Sequence, residues 1–172
     1  MLTSDPKVLQ GSYAKKQLCC RSHLVTFSHG ARFKMARKLL EPYAGKRLLD
    51  YGCGDGALLA MVADLFPSAV GADIDQKQTQ DAARRLAHIP GLQFRLTSDL
   101  SGDQYAESFD VITCMETLEH CSKETLSIVL PDLRRLLAVG GALIISVPIE
   151  VGPVLMFKQW ARMIAGWRNL GD

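Results

Sequence analysis

Across residues 46–148, short runs that are apolar at most positions alternate with longer runs whose apolar residues recur at helical spacing. The short runs are 47–50, 69–73, 93–96, 109–115 and 142–147, as expected of strands buried on both faces. The longer runs, 57–66, 75–88 and 123–139, predict helices. Pro67 and the Pro90, Gly91 pair punctuate the ends of the first two. Pro131 predicts a kink or a new first turn in the third. This alternation predicts an α/β fold: a doubly wound, mainly parallel sheet with helices on both faces and ligands at the carboxyl ends of the strands.

Two further segments flank that region. Residues 1–45 read as a basic helical segment, in which Phe33, Ala36, Leu39 and Leu40 share one face. Residues 149–172 read as one amphipathic helix, with Met156, Phe157, Trp160, Met163, Ile164 and Trp167 on a stripe. Packing on the domain, a dimer contact, a substrate lid and a membrane-surface helix are all open readings for it.

Composition narrows the field. A chain of 172 residues, 48% hydrophobic and 22% charged, is an ordinary globular domain. A net charge of +2 argues against a strong phosphate-neutralising nucleic-acid binder. Cysteines stand at 19, 20, 53, 114 and 121, odd in number and without CxxC spacing, which suits reduced thiols in the cytoplasm better than a disulfide framework. The first residues lack a signal-peptide pattern, and no apolar run approaches the roughly 20 residues of a spanning helix.

Gly52, Gly54 and Gly56 fall in the turn from the first strand into the first helix. Glycine there permits positive φ and close approach of a ligand. The stretch from Gly52 to Ala57 satisfies the loose dinucleotide pattern, with Asp73 at the distance of a ribose-binding acid. An NAD-dependent oxidoreductase is therefore one reading. Asp50 and Asp55, before and within the turn, would oppose a pyrophosphate at that helix N-terminus. No Tyr-x-x-x-Lys pair appears either. A ligand carrying an ammonium and a sulfonium, without phosphate, would suit the acids.

Asp50-x-Gly52-x-Gly54-x-Gly56 resembles the first motif of class I S-adenosylmethionine (SAM)-dependent methyltransferases. GADID, LTSDL, FDVITCMETLEH and LRRLLAVGGALIISVP follow in the order of that family, and the resemblance covers roughly residues 45–148. It implies a Rossmann-like SAM-binding domain over 46–148. It further implies cofactor contact by Asp50, Gly52, Cys53, Gly54 and Gly56 in the turn. Asp73 falls to the ribose hydroxyls, Asp99 to the adenine amino group, Ile74 and Leu100 to the adenine faces, and the backbone of Met115 and Glu116 to the cofactor. Asp50 and Asp99 also have ordinary readings as turn-forming residues.

Glu116, Glu119 and His120 form Glu-x-x-Glu-His. The string resembles the matching segment of ubiquinone-biosynthesis O-methyltransferases, and a similar cluster in small-RNA 2′-O-methyltransferases, which adds a downstream histidine absent here. Three readings stay open: His120 as general base, a divalent cation held by the three side chains, or a loop merely fixed by them. Arg32 reads either as a partner of the SAM carboxylate or as a solvated surface charge.

The expectation is a methyltransferase acting on an oxygen, or a carbon, of a small or lipid-like molecule. Nucleic acid is disfavoured, while peripheral membrane contact and a homodimer stay open. The family's sheet usually ends in a strand hairpin for which this sequence shows no pattern. A fragment of a longer protein, or a non-catalytic SAM-binding module, is therefore the rival expectation.

Overall fold

Five parallel strands form the sheet, at positions close to those the apolar runs predict. The computed structural model describes residues 10–11 and 23–147. The amphipathic segment 149–172 and the Cys19, Cys20 pair lie outside the described residues. The strands are β1 (Leu48–Tyr51), β2 (Ala69–Asp73), β3 (Leu92–Leu96), β4 (Phe109–Met115) and β5 (Leu137–Ser146). Their spatial order is β3-β2-β1-β4-β5, and every neighbouring pair is parallel. The helices are α1 (His23–Leu40), α2 (Ala57–Val62), α3 (Gln76–Arg85) and α4 (Lys123–Leu136).

The central strand β1 is buried at all four positions, Asp50 included. One core cluster joins Phe33, Ala36 and Leu40 of α1 to Leu48, Leu59, Val62 and Val111. The other gathers Leu49, Leu100, Ile112, Leu133 and Leu136. Each Leu, Ile, Val or Phe among them contributes roughly 1.5–3 kcal/mol by leaving water. Two caps fix helix starts. Asp75 accepts hydrogen bonds from the N–H groups of Lys77 and Gln78 ahead of α3, and Ser122 accepts from that of Thr125 ahead of α4.

The structure corrects several expectations. Leu39 is 48% exposed, so among the described side chains of α1 the buried face is Phe33, Ala36 and Leu40. Helix α2 stops at Val62, short of 66, because the Leu65 carbonyl turns out to accept from Gly45 N–H at 2.7 Å while Phe66 drops into the core. Pro131 neither ends nor restarts α4. The carbonyl it leaves unbonded belongs to exposed Ser127, where water can satisfy it. Strand β5 begins at Leu137, earlier than 142. Leu137 pairs with Phe109 and Ala142 with Val111, so residues 138–141 bulge out, with Gly140 at φ +76°. Among the described residues no helix is long and apolar enough to cross a membrane.

Candidate functional site

A cleft of about 520 Å³ opens at the carboxyl ends of β1, β2 and β4, the place ligands take in parallel α/β sheets. The glycine turn forms its floor. Gly52 and Cys53 both donate their N–H to the Ala72 carbonyl, at 2.7 and 3.0 Å, which pins the turn to β2. Gly52 has φ +79°, and the Thr117 side chain lies so close that it leaves no room for a Cβ. Gly54 has φ +53° and donates its N–H to Asp73 Oδ2 at 2.8 Å. Asp75 N–H bonds Asp73 Oδ1 at 2.9 Å. The Asp73 carboxylate is thus locked by two amides. Each of its oxygens keeps a second lone pair for a ligand hydroxyl.

Asp50 is buried at the end of β1 and accepts from Thr113 Oγ1 at 2.7 Å. Burial pushes its carboxyl up to about 7; the Thr113 bond opposes the rise, and the neighbouring Asp73 charge adds to it. Asp55 is also buried, and its Oδ1 takes the Ala57 N–H at 3.3 Å, so a carboxylate already occupies the first turn of α2. This is where a dinucleotide would need its pyrophosphate. Cys53 lines the cleft, and burial holds its thiol far above the usual range. Cys53, Cys114 and Cys121 are free thiols.

Ile74, 86% exposed, offers an apolar face to the cleft beside Asp73. Three other residues do not sit where the resemblance implies. Leu100 is fully buried in the core, because a 3-10 turn, Thr97–Leu100, rotates it inward after β3. Arg135 locks that turn by donating to the Leu100 carbonyl at 2.6 Å. Asp99 is exposed, lies off the cleft lining, and accepts from Leu96 N–H at 3.1 Å, closing its own turn. Gly56 (φ +75°) opens α2 with its Cα against the Phe94 ring, where an added Cβ would come within 2.8 Å. Its role in this structure is packing.

The far wall follows β4. Met115, Glu116, Thr117 and His120 line the cleft. Glu116 has φ +53°, uncommon without glycine, and donates its N–H to the Ser146 carbonyl at 3.0 Å. A short 3-10 turn, Leu118–His120, leaves Glu119 and His120 exposed. No continuous helix carries Glu116, Glu119 and His120 on one face. Glu116 instead forms an ion pair with Arg32 across the cleft. Among the described residues no cluster of three or more His, Cys, Asp or Glu side chains could hold a metal ion, so the proposed three-residue cation site does not fit this arrangement.

Sequence reasoning gave no role to Tyr51, Gln78, Thr97, Thr117 and Val129, which also line the cleft. Thr97 and Thr117 each lie just beyond a strand's carboxyl end, and that position was the available signal. Among the described residues the lining combines apolar surface with Asp50, Asp55, Asp73 and Glu116 against one arginine. It suits a ligand that has an apolar body, hydroxyls and positive charge.

Comparison with known proteins agrees with this geometry. A family model described as a methyltransferase domain matches residues 28–170. A ubiquinone biosynthesis O-methyltransferase of Ruegeria sp. strain TM1040 is 36% identical over 129 residues, covering 74% of this chain and 51% of that protein. One of the same name from Actinobacillus pleuropneumoniae serotype 7 is 39% identical over 109 residues, covering 59% of this chain and 45% of that protein. The chain spans about half or less of the length of the curated relatives it matches. Among solved structures, the YcgJ protein from Bacillus subtilis superimposes with a TM-score of 0.61 at 22% identity, covering 68% of this chain and 50% of that one. A geranyl diphosphate methyltransferase, solved with GPP and sinefungin, gives 0.60 at 21% identity, covering 70% and 45%. At these identities the two structures speak for the fold.

Proposed function

The chain belongs to the methyltransferase-domain family of the class I, SAM-dependent type, and from that premise we propose that it binds SAM and transfers the methyl group to an oxygen, or a carbon, of a small or lipid-like molecule. The observation that carries the reading is the Asp73 carboxylate. Two backbone amides orient it, and it lines the cleft beside the glycine turn.

When bound, the cofactor supplies an electrophilic methyl group on a sulfonium. The chain's own residues do the holding. Asp73 accepts the two ribose hydroxyls on its free lone pairs. Gly52 and Gly54 let the cofactor approach the backbone, and Asp50 balances its positive charge. Ile74 covers one face of the adenine, and Thr97 takes the border assigned to Asp99 by resemblance. Arg32 receives the amino-acid carboxylate. Met115 and the Glu116 backbone face the methyl group, and His120, at the rim, accepts the proton of an acceptor hydroxyl. Methyl transfer needs the acceptor held in line more than it needs acid or base.

The curated relatives are named O-methyltransferases, which supports an oxygen acceptor here. Phe33, Tyr51, Leu58 and Val129 on the lining support an apolar one. The same reading takes 46–148 as the cofactor domain, flanked by 1–45 and 149–172. It includes a cytoplasmic protein with peripheral membrane contact through 149–172, and a homodimer. Incubation with SAM and a panel of phenolic and lipid-linked phenolic acceptors, read by mass spectrometry, tests the activity. A methylated product that disappears with Asp73→Ala is expected. Binding of the cofactor with no transfer to any acceptor would leave a non-catalytic module.

A further inference from the structure

We propose that Glu116 is a displaceable internal ligand for Arg32, holding the guanidinium in the place of the cofactor's carboxylate until the cofactor exchanges for it. This rests on the assignment of Arg32 to the cofactor carboxylate given above.

Arg32 on α1 and Glu116 after β4 are 84 residues apart in sequence and meet across the cleft. Arg32 is the only lysine or arginine on the cleft lining among the described residues. Its bond to Glu116 uses Nη1 and Oε2 alone. The other Glu116 oxygen, Oε1, is buried without a hydrogen-bond partner among the described residues.

A permanent structural pair looks different in this molecule. Arg37 grips Asp64 with two parallel bonds of 2.6 Å and adds the Met61 carbonyl. Arg47 grips Asp110 with bonds of 3.0 and 2.9 Å. Both are two-pronged, which is the strong geometry for guanidinium and carboxylate. The Arg32–Glu116 pair is one-pronged, leaves a buried carboxylate oxygen unsatisfied, and depends on a left-handed backbone at a non-glycine residue.

A ligand carboxylate that offers two oxygens to Arg32 is therefore the better partner. Phe33, Ala36 and Leu40 anchor α1 in the core, so the exchange requires side-chain rotation at Arg32 and Glu116, with the helix in place. Glu116 thus competes with the cofactor, and cofactor binding releases it toward the acceptor side of the cleft.

The test is calorimetric titration of the full chain and its variants with two nucleosides. S-adenosylhomocysteine carries the amino-acid carboxylate, and methylthioadenosine carries the same adenosine without it. Glu116→Gln is expected to tighten S-adenosylhomocysteine binding by roughly three- to tenfold and to leave methylthioadenosine unchanged. Arg32→Gln is expected to weaken S-adenosylhomocysteine, and in that background Glu116→Gln has no effect. Glu116→Gly, suited to the backbone conformation, is expected to behave like Glu116→Gln and serves if the latter does not fold. Unchanged or weaker S-adenosylhomocysteine binding in the Glu116 variants, or an equal gain for methylthioadenosine, overturns the exchange. Failure of the folded wild-type chain to bind either nucleoside overturns the cofactor reading, and the exchange with it.

Discussion

On the β1–β2 side of the cleft, backbone amides do the fixing. Gly52 and Cys53 bond Ala72, while Gly54 and Asp75 bond Asp73, all between 2.7 and 3.0 Å. On the β4 side one backbone bond, from Glu116 N–H to the Ser146 carbonyl, is joined by side-chain contacts. A one-pronged ion pair holds Glu116, a Thr117 hydroxyl bonds the Met115 carbonyl, and His120 stands exposed. The first wall is pre-organised and has little freedom to lose on binding. The second can exchange partners. A common cofactor suits the rigid wall, and a variable acceptor suits the adjustable one.

Asp73→Ala strikes the rigid wall hardest. It should weaken S-adenosylhomocysteine binding by roughly tenfold or more and release two backbone amides, costing about 1–3 kcal/mol of stability. Calorimetry and denaturant titration check the two effects, and unchanged affinity would remove the ribose assignment. His120→Ala probes the adjustable wall. It should lower turnover and leave S-adenosylhomocysteine affinity within about twofold. A loss of affinity without loss of turnover would place His120 on the wrong side of the comparison.

Asp50 sharpens the comparison through pH. Its carboxyl is raised from 3.8 to about 7 in the folded chain. Its contribution to stability is fully present below about pH 4, is lost as the unfolded chain ionises, and levels off above about pH 7. The melting temperature of the ligand-free protein should fall from about pH 4 to about pH 7, and Asp50→Asn should flatten that slope. Parallel slopes in the two proteins would contradict the burial argument. The smallest effect belongs away from the cleft. Asp64→Ala breaks a largely exposed pair with Arg37 and should cost about 0.5 kcal/mol, after allowance for solvent screening, with cofactor affinity unchanged.

The rigid wall was readable from sequence, because its residues lie within short, ordered motifs at strand ends. The bounds of β2 and β4 match the apolar runs, and Asp73 falls at a strand end as the spacing implies. The adjustable wall was less readable. The Arg32–Glu116 pair joins residues 84 apart, and nothing local signals it. Leu100 was misplaced because adjacency to a strand end says nothing of a 3-10 turn that rotates the next side chain into the core. Of the two readings of Asp99, its side chain takes the turn-closing one, the ordinary use of aspartate. The Glu-x-x-Glu-His string offers three cation ligands close in sequence, whereas the backbone turns left-handed at Glu116 and leaves Glu119 and His120 exposed.

Calorimetric titration of the 172-residue chain with S-adenosylhomocysteine, with NADH as control, tests the central claim most directly. The account predicts micromolar binding of S-adenosylhomocysteine and no heat from NADH. Binding of NADH alone, or of neither by a chain shown folded by circular dichroism, would contradict it.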